Sequence, residues 1–472
     1  MTKIAAIIGG GVIGGGWAAR FALSGWDVTI FDPDPQAERK MNEVLANARR
    51  SLPALSEVAL PLEGQITFAP TIAEAVSNAD WIQESAPERL EMKHSILHDI
   101  QTHCRADALI GSSTSGFKPS ELQQGAQRPA QIFVAHPFNP VYLLPLIELV
   151  GDDATTTRAH DMLTDIGMKP LKVRKEIDAH IADRFLEAVW REALWLIKDG
   201  IATTEEIDDA IRFGFGLRWG QMGLFETYRV AGGEAGMAHF IVQFGPCLQW
   251  PWTKLMDVPE LTDELVTMIA DQSDAQSGAH SIRELERIRD DNLVSMMRSL
   301  KGRDWGAGAL LNEHDARLSA QAAPDFTKPI ISVARAIPID WTDYNGHMNE
   351  SRYGQVWSDA ADALMNMIGA DADYIKSGLS YFTVDTHTKF LDECHAGDAI
   401  TVVTHILEGT GKKLRLFHEM KNASGDVVAT CNQFLLHVSL ETRKSCDPAP
   451  HVAEKMATII AAQAALPKPE NT

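Results

Sequence analysis

His136 and Glu148 stand twelve residues apart in the run HPFNPVYLLPLIE, the histidine directly after the apolar stretch QIFVA. A neutral imidazole suits abstraction of a hydroxyl proton near pH 7, and a carboxylate on its other ring nitrogen fixes the tautomer and stabilises the imidazolium. Ser115, in the Ser/Thr loop after ALIGSST, offers a hydroxyl for the same substrate oxygen. Oxidising a secondary alcohol this way needs a hydride acceptor, and the N-terminus carries residues for one. Gly9, Gly11 and Gly14 satisfy G-x-G-x-x-G, with Gly10, Val12 and Ile13 completing the loop and opening a helix. Gly9 permits the tight turn, Gly11 lets backbone approach a pyrophosphate, and Gly14 allows close helix–strand packing. Asp32 follows Gly14 by 18 residues, at the end of DVTIFD. A carboxylate there accepts both ribose hydroxyls and repels a 2′-phosphate, so the expected cofactor is NAD rather than NADP.

These residues need a scaffold. Residues 1–185 alternate β-rich runs (KIAAIIG, DVTIFD, ADWIQES, ALIGSST, QIFVAH, LIELV) with helical stretches, which predicts βαβ units around a mainly parallel sheet, an α/β Rossmann domain. Residues 186–320 read as successive amphipathic helices, an all-α second domain for substrate binding and dimerisation. ARLSAQAAPDFTKP, residues 316–329, reads as a linker. Beyond it, one long helix is followed by alternating runs with hairpin-sized gaps, an α+β domain over 329–465, and AALPKPENT reads as a disordered tail.

Composition sets the outer limits. Lys plus Arg number 43 against 64 Asp plus Glu, a net charge of −21, which argues against nucleic acid or an anionic membrane as partner. The five cysteines form no C-x-x-C pair; that argues against a zinc or disulfide framework, fits a reducing cytoplasm, and leaves no metal expected. No apolar run is long enough to span a bilayer. The N-terminal apolar stretch with its glycine cluster reads as a buried first strand, not a signal peptide.

Together the HPFNPV run, the His-to-Glu spacing, the SSTS loop and ERLEMK resemble the L-3-hydroxyacyl-CoA dehydrogenase family over about residues 3–300. The resemblance implies cofactor contacts for Glu88 and Lys93, a place beside the nicotinamide for Asn139, and a catalytic role for Ser115 with His136 and Glu148. The departures bear on the substrate. The family usually has V-N-R where this chain has IADR, which puts Asp183 in place of Asn. The run FGFGLRWGQMGLFETYRV supplies Phe213, Phe215, Trp219, Phe225 and Tyr228, with Arg218 among them. Aromatic faces plus a carboxylate suit a quaternary ammonium, and Arg218 suits a substrate carboxylate. For any single ring, helical core is the simpler role. These features are similar to the L-carnitine dehydrogenase branch, which oxidises the 3-hydroxyl of L-carnitine to a ketone. A 3-hydroxyacyl-CoA dehydrogenase is the alternative within this half.

In the C-terminal part, DYNGHMNESRY has the form D-x-x-G-H-x-N-x-x-x-Y ahead of the long helix. It resembles hotdog-fold acyl-CoA thioesterases of the 4-hydroxybenzoyl-CoA type over about residues 330–445. The resemblance implies Asp343 as nucleophile or general base, with His347 and Asn349 as helpers. The start of the long helix offers amides for the oxyanion, and Lys412, Lys413 and Arg415 suit coenzyme A phosphates or a plain solvated hairpin end. Asp343 also suits a plain turn, and Asn349 a plain helix cap. The fusion implies hydrolysis of betainyl-CoA to glycine betaine and CoA. A non-catalytic or acyl-CoA-sensing module is the alternative for this half. Both parent families associate, which implies a homodimer.

Overall fold

The computed structural model describes residues 2–56, 58, 60–231, 236–244, 253–254, 260, 262–321, 325–467 and 469. The N-terminal unit alternates β1 (Ile4–Ile8), α1 (Val12–Leu23), β2 (Asp27–Phe31), α2 (Ala37–Ser51), β3 (Ile66–Phe68), α3 (Ile72–Val76), β4 (Trp81–Glu84), α4 (Leu90–His103), β5 (Leu109–Ser112), α5 (Pro119–Leu122), β6 (Ile132–Pro137), β7 (Leu146–Val150), α6 (Asp153–Asp165) and β8 (Lys169–Lys172). Its eight strands lie in the order β3-β2-β1-β4-β5-β6-β7-β8. All neighbours pair parallel except β6 and β7, which form an antiparallel pair. The central strands are buried on both faces, as a parallel sheet covered by helices requires. Trp17, Phe21, Trp26, Trp81 and Phe133 interlock on one side of it, with Trp81 edge-on to Phe133 at 5.5 Å between centroids.

Helices follow: α7 (Ala182–Lys198), α8 (Thr204–Ala210), α9 (Gly216–Ala231), α10 (Gly236–Phe244), α11 (Asp263–Ser277), α12 (Ile282–Lys301) and α13 (Ala307–Gln321). Helix α12 docks on the first unit through polar anchors: the buried Tyr142 hydroxyl donates to Asp290 at 2.7 Å, and Lys301 pairs with Asp315 at 2.5 Å while donating to the Leu55 carbonyl at 3.0 Å. Helix α13 extends to Gln321, so the first six residues of the expected linker are helical. Ala, Arg, Leu and Gln in ARLSAQ are strong helix formers, and small size alone does not end a helix. Residues 322–324 of that expected linker lie outside the described residues, as do 468 and 470–472 of the expected tail.

The C-terminal unit comprises β9 (Ile330–Ala336), α14 (Glu350–Ile368), α15 (Ala372–Lys376), β10 (Leu379–Phe390), β11 (Ala399–Thr410), β12 (Lys413–Lys421), β13 (Val427–Ser439) and α16 (Pro450–Gln463). The strands form an antiparallel sheet in the order β10-β13-β12-β11-β9. Helix α14 buries Tyr353, Val356, Trp357, Ala360, Ala361, Leu364 and Ile368, one face at helical spacing, in the cores formed with that sheet. Asn349 caps its start and Gly369, at φ 82°, ends it. The expected tail begins at residue 464, just beyond α16, whose Val452, Met456 and Ile459 are buried. Among the described residues the cysteines are free thiols and no helix is long and apolar enough to cross a membrane; Cys247 lies outside them.

Under α14, His418 is fully buried, accepting from the Thr404 hydroxyl at 2.8 Å and stacked on Trp357. Burial pushes its pKa down to about 4. Unfolded, it titrates near 6.5, so between those values the unfolded chain binds a proton that the folded chain refuses. This contribution is complete above pH about 6.5 and is lost as pH falls toward 4, at up to about 1.4 kcal/mol per pH unit. The urea midpoint of this unit is expected to fall between about pH 7 and pH 5, and His418→Gln to flatten that slope. An unchanged slope excludes His418 as its source.

Candidate active site

The turn between β1 and α1 shows what its glycines are for. Gly9 has φ +102°, and a Cβ on Gly14 would sit 1.8 Å from the Gly9 carbonyl oxygen. A Cβ on Gly11 would meet nothing within 4 Å, so the space beside it is open. No side chain caps α1 and no acid sits in its first turn, leaving its amides and positive dipole end for an anion. Val12 is exposed and Ile13 half-buried at this mouth. At the tip of β2 the Asp32 carboxylate accepts the Gly10 amide at 2.5 Å and the Asp34 amide at 2.7 Å. A glycine cradle, a free helix terminus and a carboxylate at the next strand end fit a dinucleotide.

Beyond β4 and β5 lies a buried ionic network. The Lys93 ammonium donates to Glu84 at 2.9 Å and to the Ala86 carbonyl at 3.1 Å, and lies 3.3 Å from Glu88. Lys93 is 1% exposed, so it reaches a cofactor only through its partners. Glu88 is half exposed; it accepts the Thr114 hydroxyl and, at 3.1 Å, the Gly116 amide, bracketing Ser115. Burial raises the Glu88 carboxyl, but the Thr114 bond, the Lys93 charge and the Gly116 amide outweigh it and hold the pKa below its ordinary value. Ser115 itself is exposed on the loop after β5.

The antiparallel turn from β6 to β7 sets His136 directly opposite Glu148. Their side chains meet, with Nδ1 3.1 Å from Glu148 Oε2, and Glu148 is fully buried. The other oxygen, Oε1, accepts the Ile181 and Ala182 amides at 2.9 and 3.1 Å, so one carboxylate holds both the imidazole and the start of α7. Burial raises the Glu148 carboxyl, yet the His136 bond and these two amides more than offset it, so it stays ionised. From the first turn of α7, Asp183 brings Oδ2 to 3.5 Å from His136 Nε2. Its pKa is raised, chiefly by burial and also by Glu148, against the opposing pull of His136.

Two neighbours lie outside the residues that the sequence pattern singles out. Phe138 lies edge-on to His136 with centroids 4.9 Å apart, and His180 lies 5.4 Å from it, bonded through Nε2 to the Thr114 carbonyl at 3.2 Å. His180 and Ala179 both have positive φ, at 49° and 59°. HIADR displays the histidine, but nothing local says which loop it meets. Asn139 is exposed one residue beyond Phe138. Arg218, Trp219 and Phe225 are exposed on α9. Trp219 contacts Phe215 at 4.6 Å, and among the described residues no hydrogen bond, ion pair or ring contact joins these three side chains to His136 or Asp183. Gly214 and Gly223 have non-helical backbone, which breaks the periodicity that an aromatic cage on one helical face needs.

In the C-terminal unit Asp343 opens a turn: Oδ1 accepts the Asn345 amide at 2.8 Å and the His347 amide at 3.3 Å. Asn349 Oδ1 accepts the Ser351 amide at 3.0 Å, the helix-cap role. The turn and the cap are therefore real structural duties, whatever chemistry these side chains add.

Residues 4–177 match the 3-hydroxyacyl-CoA dehydrogenase NAD binding domain, residues 180–259 the C-terminal domain of the same enzymes, and residues 337–456 the thioesterase-like superfamily. An L-carnitine dehydrogenase/betainyl-CoA thioesterase of Ruegeria pomeroyi is 66% identical over 99% of this chain and 97% of its own length. The chain belongs to the L-carnitine dehydrogenase/betainyl-CoA thioesterase family. Another member, from Agrobacterium fabrum, is 57% identical over 94% of this chain and 92% of its own. An L-carnitine dehydrogenase of Mesorhizobium japonicum is 60% identical over 68% of this chain and 90% of its own length. Among solved structures, the NAD-dependent 5-formyl-3-hydroxy-2-methylpyridine 4-carboxylic acid 5-dehydrogenase matches with TM-score 0.56 and 28% identity, over 64% of this chain and 99% of that one. The dehydrogenase half of this family member is an NAD-binding unit with a Rossmann sheet and a helical domain, and its C-terminal half is a thioesterase-type hotdog domain.

NAD selectivity is testable at Asp32. Asp32→Ala removes the acceptor for ribose hydroxyls and the repulsion of a 2′-phosphate. The kcat/KM with NAD is expected to fall about ten- to hundredfold, for about 1.5–3 kcal/mol of charged hydrogen bonding, while that with NADP holds or rises. An unchanged NAD/NADP ratio excludes the role.

Proposed function

We propose that this chain oxidises the 3-hydroxyl of L-carnitine to 3-dehydrocarnitine with NAD, and that its hotdog domain hydrolyses betainyl-CoA to glycine betaine and CoA. We read residues 1–185 as the NAD-binding domain, 186–320 as the helical substrate and dimerisation domain and 329–465 as the thioesterase domain. When bound, the nicotinamide supplies the hydride acceptor. His136 takes the hydroxyl proton at Nε2, while Glu148 holds the Nδ1 proton and steadies the imidazolium. Ser115 donates a hydrogen bond to the substrate oxygen, and Glu88, braced by Lys93, orders the loop that carries it. Gly9 to Gly14 would cradle the pyrophosphate of NAD, Asp32 would hold its ribose, and Asn139 would line the nicotinamide side.

The observation that carries the carnitine reading is the Asp183 carboxylate 3.5 Å from His136 Nε2. In L-carnitine the quaternary ammonium is two bonds from the carbinol carbon, so a hydroxyl held at Nε2 brings the cation close to Asp183. Phe138, against the same imidazole, adds an aromatic surface. Arg218, Trp219 and Phe225 serve the substrate from α9, Arg218 at its carboxylate and the two rings at its ammonium.

The test is NADH formation from L-carnitine, D-carnitine and 3-hydroxybutyryl-CoA. Faster turnover of the CoA substrate overturns the reading. Asp183→Asn is expected to lower kcat/KM for L-carnitine about ten- to hundredfold, the loss of roughly 1.5–3 kcal/mol of charge attraction. An effect below twofold removes Asp183 from substrate binding.

For the thioesterase, Asp343 attacks the thioester carbonyl or activates water, and the α14 amides near Asn349 receive the oxyanion. His347 borders the same turn. The free thiols among the described residues support a reducing, cytoplasmic setting. We propose a homodimer, tested by light scattering.

A further inference from the structure

A second cluster of chemistry-bearing side chains lies in the C-terminal unit. His347 and His395 face one another across an antiparallel bridge. Residues so opposed carry Cβ atoms about 4.5–5.5 Å apart and project to the same side. Glu393 precedes His395 by two residues, and in extended chain that spacing returns to the same face. The imidazoles meet edge-on with centroids 4.9 Å apart, and His347 Nε2 lies 3.4 Å from Glu393 Oε2. One ligand atom from each of the three residues lies within 4.8 Å of the other two. The frame is fixed by backbone: Met348 donates to the Cys394 carbonyl at 2.7 Å, and Asp343 to the His347 carbonyl at 2.9 Å. Behind the ligands, an Asp398 oxygen accepts the His395 amide at 2.7 Å and lies 3.7 Å from His395 Nδ1.

We propose that His347, Glu393 and His395 bind a divalent transition-metal ion such as Zn²⁺. Two imidazoles with one carboxylate suit zinc, cobalt or nickel, whereas magnesium and calcium favour all-oxygen sites. The side chains of Glu393 and His395 are more than half exposed, so an ion enters and leaves freely. The site adjoins the turn of Asp343, whose Oδ1 accepts the His347 amide. A bound dication locks that turn through His347, fixing the Asp343 carboxylate in its bonds to the Asn345 and His347 amides and away from a substrate carbonyl. Occupancy therefore suppresses thioester hydrolysis and leaves alcohol oxidation untouched. This second consequence rests on the thioesterase reading of Asp343; metal binding does not.

The test uses the full chain stripped with EDTA. Calorimetric Zn²⁺ titration and the visible spectrum of bound Co²⁺ are expected to show one more equivalent for wild type than for His395→Ala, and no heat from Mg²⁺ at the same concentrations. Asp398→Asn is expected to weaken binding about tenfold by freeing the ring. Glu393→Gln provides a second ligand variant, and both ligand side chains are exposed, so folding is spared. Equal uptake by wild type and His395→Ala overturns the site. With betainyl-CoA, Zn²⁺ is expected to slow hydrolysis by wild type but not by His395→Ala, with NADH formation from L-carnitine unchanged in both. Uninhibited hydrolysis at a filled site overturns the regulatory consequence. A metal-free enzyme that hydrolyses no thioester overturns the thioesterase reading and leaves the binding result standing.

Discussion

His136→Gln is expected to lower kcat/KM for NAD-dependent oxidation of L-carnitine about 10²–10⁴-fold, the contribution of a positioned general base. Glutamine keeps polarity and approximate size but cannot accept a proton to form a cation. The loss belongs to kcat more than to NAD affinity, because the glycine turn that holds the dinucleotide is a separate element. Steady-state rates together with NAD binding followed by fluorescence separate the two. A variant retaining more than half of the activity removes His136 from the chemistry. Glu148→Gln is informative beside it. Glu148 is fully buried and accepts from His136 and from the Ile181 and Ala182 amides. An amide in its place still accepts from backbone but no longer stabilises an imidazolium, so activity should fall while the fold survives.

The second large effect lies at Asp343. Asp343→Ala is expected to cut betainyl-CoA hydrolysis about 10²–10⁴-fold while NADH formation stays within about twofold of wild type. Alanine also removes the acceptor for the Asn345 and His347 amides, so it mixes chemistry with turn geometry. Asp343→Asn separates them: its amide oxygen accepts the same two backbone groups without a negative charge. Loss in both variants assigns the chemistry to the carboxylate. Full hydrolysis in Asp343→Asn reduces the residue to a turn former, and points to the reading of the C-terminal unit as a non-catalytic module.

Much of the site is legible in the amino-acid sequence by itself. The G-x-G-x-x-G turn with Asp32 18 residues on, the HPFNPV run with Glu148 twelve residues after its histidine, and D-x-x-G-H-x-N ahead of an amphipathic helix are local patterns. Each reflects a demand met within one or two adjoining elements: a turn without Cβ atoms, a strand end, a helix cap. The alternation of strand and helix specifies the Rossmann class for the same reason, since a buried parallel strand and its crossover helix advertise themselves by period and composition.

What needed the tertiary structure is everything that depends on which distant segments meet. The direct opposition of His136 and Glu148 comes from the antiparallel β6–β7 pair inside a mostly parallel sheet. Asp183 and His180 arrive from the junction with α7, and Lys93 turns inward to Glu84 rather than outward. The aromatic residues from Phe213 to Tyr228 stay undecided in the sequence for the same reason: residue type allows either core or substrate contact, and the non-helical backbone at Gly214 and Gly223 sets where each ring points. His347 and His395, 48 positions apart, become neighbours only through a bridge between two loops. Local propensity acts over a few residues and is written along the chain. Register, strand order and loop closure are settled by burying the common core, and they decide which charges share a site.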